Sequence, residues 1–253
     1  MFKERVVESI IGKTMKKKKS RIPARLDFLQ SATGLMLSIF IMFHLMFESS
    51  ILLGKESMYA LTKFFEGEFI VDGGSPLFIV ILVLTITFIF IVHAFLAMRK
   101  FPSSYREYMR FRTHSKLMNH SDTNLWFIQI TTGAVIFFLG AIHLYTIMTQ
   151  AQNIGPFASS DRIYSDHMWI VYLMLLVSVV LHTGIGIYKL IMKWGWFDGK
   201  NPKKSRVKTR KIIKIITIFY LILGFLSLLS YMKIGYEHQA NYGERYTLFE
   251  EVK

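Results

Sequence analysis

The sequence contains no cysteine. That excludes cysteine-ligated iron–sulfur clusters, covalently attached c-type haem and disulfides in this chain, so any such electron carrier would belong to another subunit. Acidic residues are also few, 17 against 31 Lys and Arg, for a net charge of +14. In a soluble protein that surplus would suggest nucleic acid. Here the bases gather in loops between apolar runs, which points instead to membrane topology and to contact with anionic lipid or an acidic partner. The first 20 residues lack the apolar core of a cleaved signal peptide, so the first apolar run is expected to stay as an anchor.

What the chain has in abundance is long apolar sequence, 52% of its residues being hydrophobic. The runs lie at about 26–52, 77–98, 124–149, 168–192 and 212–232, each near the roughly 20 residues that cross a hydrocarbon core about 30 Å thick. The expectation is an all-α polytopic membrane protein: one membrane-anchor domain, 1–253, with five transmembrane helices, four of them forming a haem-binding bundle.

Lys and Arg set the orientation, because short cytoplasmic loops carry them in excess. Lys13, Lys16 to Lys19, Arg21 and Arg25 precede the first span; Arg99, Lys100, Arg106, Arg110, Arg112 and Lys116 follow the second. Lys193, Lys200, Lys203, Lys204, Arg206, Lys208, Arg210 and Lys211 follow the fourth. The other two loops are poor in base, which puts the N-terminus inside and the C-terminus outside.

His44, His93, His143 and His182 each lie in a different span, and the fifth span has none. With this orientation His44 and His143 fall in the outer half of the bilayer, His93 and His182 in the inner half. An ionisable group at such depth is costly and calls for a partner. Two imidazoles facing each other from neighbouring helices supply both axial positions of a six-coordinate haem b. Two stacked pairs therefore predict two haems, roughly 15 Å apart along the membrane normal. His114, His120, His167 and His238 fall in loops or the tail, where a solvated imidazole needs no explanation.

Pro23 suits the start of a helix, Ser75-Pro76 caps the second span, Ser121 or Asp122 the third, and Gly199 to Pro202 turns the chain after the fourth. Spans one and three share a pattern, Gln30-x-x-Thr33-Gly34 leading to His44-Leu45 and Gln129-x-x-Thr132-Gly133 leading to His143-Leu144. It reads as a weak internal repeat or a shared way of packing a macrocycle. Ser178 and Gly186 flank His182 by four residues on nearly one helix face, leaving room for a macrocycle or a neighbouring helix.

Longer stretches carry a family likeness: Lys18 to Arg21, Ala24-x-Leu26-Asp27, Gln30 to Gly34, His93 to Pro102, Phe138 to Gly140, Ile154 to Pro156 and Lys193 to Gly199. In these the chain resembles the dihaem cytochrome b membrane-anchor subunits of epsilonproteobacterial quinol:fumarate reductases and succinate:quinone oxidoreductases. The resemblance implies a complex in the bacterial cytoplasmic (inner) membrane. An FAD-containing flavoprotein and an iron–sulfur subunit would sit on its cytoplasmic face, with menaquinol as substrate and two haem b; a dimer of the heterotrimer is compatible with it.

By the same resemblance His93 and His182 hold the proximal haem iron, and His44 and His143 the distal one. Gln30, Ser31, Trp126 and Lys193 match positions around the proximal haem propionates, and Arg162, the one base in its loop, is a candidate for the distal haem. Glu66 matches the residue that accepts the quinol proton, with Glu68 and Asp72 as ordinary loop acids beside it. Two residues before His182, where a family member carries a proton-conducting glutamate, stands Val180, and this leaves the proton route open. The alternatives at this point are the same subunit running as a succinate dehydrogenase, the quinone-reactive cytochrome b of another respiratory oxidoreductase, or a transporter or assembly protein without haem.

Overall fold

The computed structural model describes residues 21–102, 104–118 and 121–248. The basic run from Lys13 to Lys19 and His120 lie outside these residues, and so do the side-chain caps expected at Ser121 or Asp122. Among the described residues there are eight α-helices and no strand: α1 Ile22–Glu48, α2 Lys55–Phe65, α3 Pro76–Met98, α4 Tyr105–Met118, α5 Ser121–Thr149, α6 Pro156–Tyr164, α7 Trp169–Trp194 and α8 Pro202–His238. Five of them, α1, α3, α5, α7 and α8, are long and apolar enough to cross a membrane.

Local chemistry starts and stops these helices where the sequence suggests. Pro23 lies in the first turn of α1, where its missing N–H costs nothing. At α3, Ser75 accepts a hydrogen bond from the Leu77 N–H and Pro76 opens the helix; at α8, Asn201 accepts from the Lys204 N–H ahead of Pro202. Gly195, at φ 66°, ends α7, and the following Trp196 N–H reaches the Ile191 carbonyl.

The first four long helices form a closed ring, α1 on α3, α3 on α5, α5 on α7 and α7 back on α1. α8 lies outside the ring against α7 and α1, and its last turns pack on α6. Phe88, Phe95, Phe219 and Ile222 are exposed on the perimeter, as lipid-facing residues must be. The tightest packing is at the end of the bundle opposite the basic loops, where Ile51, Met58, Ile163, Leu228 and Tyr231 form one cluster and Ile79, Val83 and Ala151 another.

α8 runs well past the apolar stretch 212–232 at both ends. Its first turns carry Lys203, Lys204, Arg206, Lys208 and Arg210, and its last turns are held by contact with α6. Gly235 makes that contact possible: a Cβ there would come within 2.5 Å of the Ser160 carbonyl oxygen and 2.6 Å of Tyr164 Cβ. Gly235→Ala should force α6 and α8 apart at a cost of about 1–3 kcal/mol. The effect is read as a lower Tm of the protein in detergent; an unchanged Tm would mean that the two helices can slide without loss.

Candidate functional site

The ring of helices encloses a continuous cavity of about 970 Å³, at the upper end of the roughly 300–1,000 Å³ usual for small-molecule sites. It runs the length of the bundle. Gln30, Trp126 and Lys193 line one end, Glu48, Arg162 and Tyr231 the other, and all four span histidines line the wall between.

Two of these imidazoles are gripped from across the bundle. On α3, His93 meets Thr33 Oγ1 of α1 at 3.2 Å through Nδ1; on α7, His182 meets Thr132 Oγ1 of α5 at 3.3 Å through Nδ1, with the Gln129 carbonyl 3.1 Å from the same nitrogen. Each threonine is followed by a glycine under the ring. A Cβ on Gly34 would stand 2.9 Å from His93 Cε1, and one on Gly133 3.1 Å from His182 Cε1. The sequence pattern shared by spans one and three is therefore a pair of identical cradles. In sequence the pattern leads on to His44 and His143, and in the fold each cradle holds the histidine of another helix. With Nδ1 occupied in each case, Nε2 is left free to take a ligand.

The second tier stands eleven residues further along both α1 and α5, roughly 16 Å at 1.5 Å per residue. There the His44 and His143 rings face each other with centroids 6.0 Å apart. Two imidazoles sharing one metal atom, each nitrogen about 2.0 Å from it, have centroids roughly 6 Å apart as well. Phe40 stacks on His44 at 5.5 Å, and Tyr172 stands edge-on to His143 at 5.4 Å. Among the described residues, His143 Nδ1 is buried with no hydrogen-bond partner, and so is Gln30 Oε1. Orphaned polar atoms on a cavity wall are the mark of a site that accepts a polar or metal-bearing guest.

At the basic end, Lys193 Nζ donates to Ser31 Oγ at 3.1 Å and to the Asp27 carbonyl at 3.2 Å, and Gln30 lies on the same helix face. Trp126 is on the wall nearby, its ring 4.3 Å from Phe111 of α4. The four residues expected near propionates thus line one cavity mouth. Sequence reasoning missed their organiser. Asp27 takes ion pairs from Arg99, from Lys100 at 3.0 Å and from Lys193 at 3.6 Å. One carboxylate among three cations leaves the mouth positive, as suits an anionic guest.

At the opposite end Arg162 is buried and donates to the Asn153 carbonyl at 2.8 Å. Glu66, 8% exposed, sits just past α2 and is not among the residues lining the cavity, although its neighbours Thr62 and Phe65 are. Lys63 reaches it at 3.2 Å, and the Ser75 N–H donates to its carbonyl at 2.6 Å. Burial tends to lower the Lys63 ammonium, but the hydrogen bond and charge of Glu66 raise it above the usual lysine value. Gly74, at φ +75°, closes over this carboxylate, and a Cβ there would stand 2.7 Å from Glu66 Cβ.

One further residue departs from expectation. His238 is no solvated tail residue: it is 8% exposed, bonded to Asp161 at 2.9 Å and stacked on Phe157 at 4.0 Å. Gly186 lines the cavity beside Gln129, whereas Ser178 is buried away from it. Val180, 4% exposed, faces α8 with Thr183, Thr217 and Tyr220.

Residues 105–224 match the family described as succinate dehydrogenase/fumarate reductase transmembrane subunit. The chain is 50% identical over 237 residues to the fumarate reductase cytochrome b subunit of Wolinella succinogenes, covering 94% of this chain and 93% of that one. It is 44% identical over 241 residues to the fumarate reductase cytochrome b subunit of Helicobacter pylori, covering 95% and 93%.

The cradles make a direct prediction. Gly34→Ala should displace the His93 ring and Gly133→Ala the His182 ring, and each should disturb the tier at the basic end while leaving His44 and His143 in place. Absorption spectra of the cofactor-loaded protein should differ from those of the wild type in both variants; unaltered spectra would mean the rings have room to spare.

Proposed function

We propose, since the chain belongs to the family of fumarate reductase cytochrome b subunits, that it is the quinone-reactive membrane subunit of such a complex. It carries electrons between menaquinol and an iron–sulfur subunit through two b haems. The observation that supports this most is the pair of histidine tiers on one through-going cavity. His93 and His182 hold the haem nearer the basic end, His44 and His143 the other. Bound haem would supply the one-electron redox chemistry.

The rest is the work of this chain's own groups. Thr33 and Thr132 fix the ring orientation of His93 and His182. Gln30, Ser31, Trp126 and Lys193 receive the propionates at the basic mouth, and Arg162 faces the haem at the other end. The basic mouth is cytoplasmic, with the iron–sulfur and FAD-containing flavoprotein subunits docked over it and the N-terminus on the same side of the bacterial inner membrane. Quinol oxidation takes place at the opposite end, where Glu66 accepts a proton and Lys63 holds its carboxylate. The dicarboxylate chemistry belongs to the flavoprotein.

Three experiments test this reading. A reduced-minus-oxidised spectrum with pyridine haemochrome quantification should give two b haems per chain, and none would overturn it. Replacing any one of His44, His93, His143 or His182 by alanine should remove or convert to five-coordinate one low-spin haem; a histidine whose loss left both signals intact would not be a ligand. Glu66→Gln keeps the shape and removes the base, so quinol oxidation by the complex should fall about a hundredfold or more with both haems retained. Wild-type turnover in that variant would remove Glu66 from the mechanism.

A further inference from the structure

Oxidation of a quinol releases two electrons and two protons, and Glu66 accounts for one accepting group. A second carboxylate faces the cavity at the same end. Glu48 stands one helical turn beyond His44 on α1, so the two side chains share a helix face. It lines the cavity, whereas Glu66 does not. Tyr231 of α8, 3% exposed, donates its hydroxyl to Glu48 Oε2 at 3.0 Å and lies 3.3 Å from Met58 Sδ. The residues just before the two carboxylates, Phe47 and Phe65, meet edge to face at 5.0 Å and both line the cavity. An aromatic floor flanked by two acids is a suitable seat for a quinone ring and its two hydroxyls.

A carboxylate within an apolar span is expensive to keep. The hydrogen bond from Tyr231 to one carboxylate oxygen fixes its orientation on the cavity wall. We propose that Glu48 is a second catalytic residue of quinol oxidation, the base on the cavity wall that takes a hydroxyl proton directly from the quinol, with Tyr231 as its positioning residue. The proposal rests on the reading of this end as the quinol site. In one turnover both quinol O–H bonds break. One proton goes to Glu48 and the other to Glu66, the quinone remains, and the two electrons are those that a haem held by His44 and His143 would accept one at a time.

The test uses the complete complex in detergent with a water-soluble naphthoquinol. Glu48→Gln keeps an acceptor for Tyr231 but cannot take a proton. The expected result is a fall in kcat of roughly a hundredfold with KM little changed, haem content retained, and loss of a carboxyl band from the redox-induced infrared difference spectrum. Tyr231→Phe should keep that band, shift its frequency, and lower kcat less than Glu48→Gln does. Wild-type kcat in Glu48→Gln, or an unaltered carboxyl band, overturns the proposal. Should Glu48→Gln lose haem, Glu48→Asp decides: a carboxyl band and partial kcat support a base, and their absence in a haem-replete protein assigns Glu48 to structure alone. Absence of haem from the wild-type complex would instead sink the reading of the whole site.

Discussion

An imidazole set at the depth of a hydrocarbon core must be given a partner, and most of this architecture follows from satisfying four of them at once. One histidine per helix on four helices can converge only if those helices close into a ring. The ring can hold a shared guest only if its axis stays open, which is why the wall carries glycine at Gly34, Gly133, Gly140 and Gly186. Threonine then occupies the residue before two of those glycines, because a hydroxyl bonded to the helix carbonyl one turn back still has reach to a ring nitrogen opposite. Small residue for approach and hydroxyl for orientation solve the same problem on α1 and on α5.

The charged groups divide by end in a way that the same constraint explains. Around Asp27, three cations gather where water is close and their pairing costs little. At the far end Arg162, Asp161 and His238 are buried, and each has a specific partner, as buried charges must. The basic mouth can therefore exchange partners, whereas the opposite end is fixed by its bonds.

Much of this was legible in the sequence. The spans, the cap at Ser75, the turn from Gly199 to Pro202 and the two tiers of histidine all follow from local pattern and from depth. What escaped depends on contacts between residues far apart in the chain. Asp27 reads as an isolated acid near a helix start, and only folding brings Arg99, Lys100 and Lys193 to it. Glu48 reads as the boundary of an apolar run, yet Tyr231 lies 183 residues away and converts that boundary into a cavity wall. His238 follows the last apolar stretch and so reads as tail; α6, folded back on α8, buries it. Even the repeated Gln-x-x-Thr-Gly pattern was visible without its meaning, because the ring it grips is sixty residues distant for Thr33 and fifty for Thr132.

The length of α8 links the two ends mechanically. Its 37 residues span roughly 55 Å, against a hydrocarbon core of about 30 Å. One tip is clamped at Gly235 between Ser160 and Tyr164, and the other carries the basic turns from Lys203 to Lys211. Packed along α7 and α1 between its two tips, α8 carries a shift at one end through to the other. The clamp at α6 thus acts as a gauge that decides how far the lysines and arginines of the opposite tip stand from the lipid headgroups. A single methyl group added at Gly235 would be felt there as a change in the elevation and tilt of a charged surface.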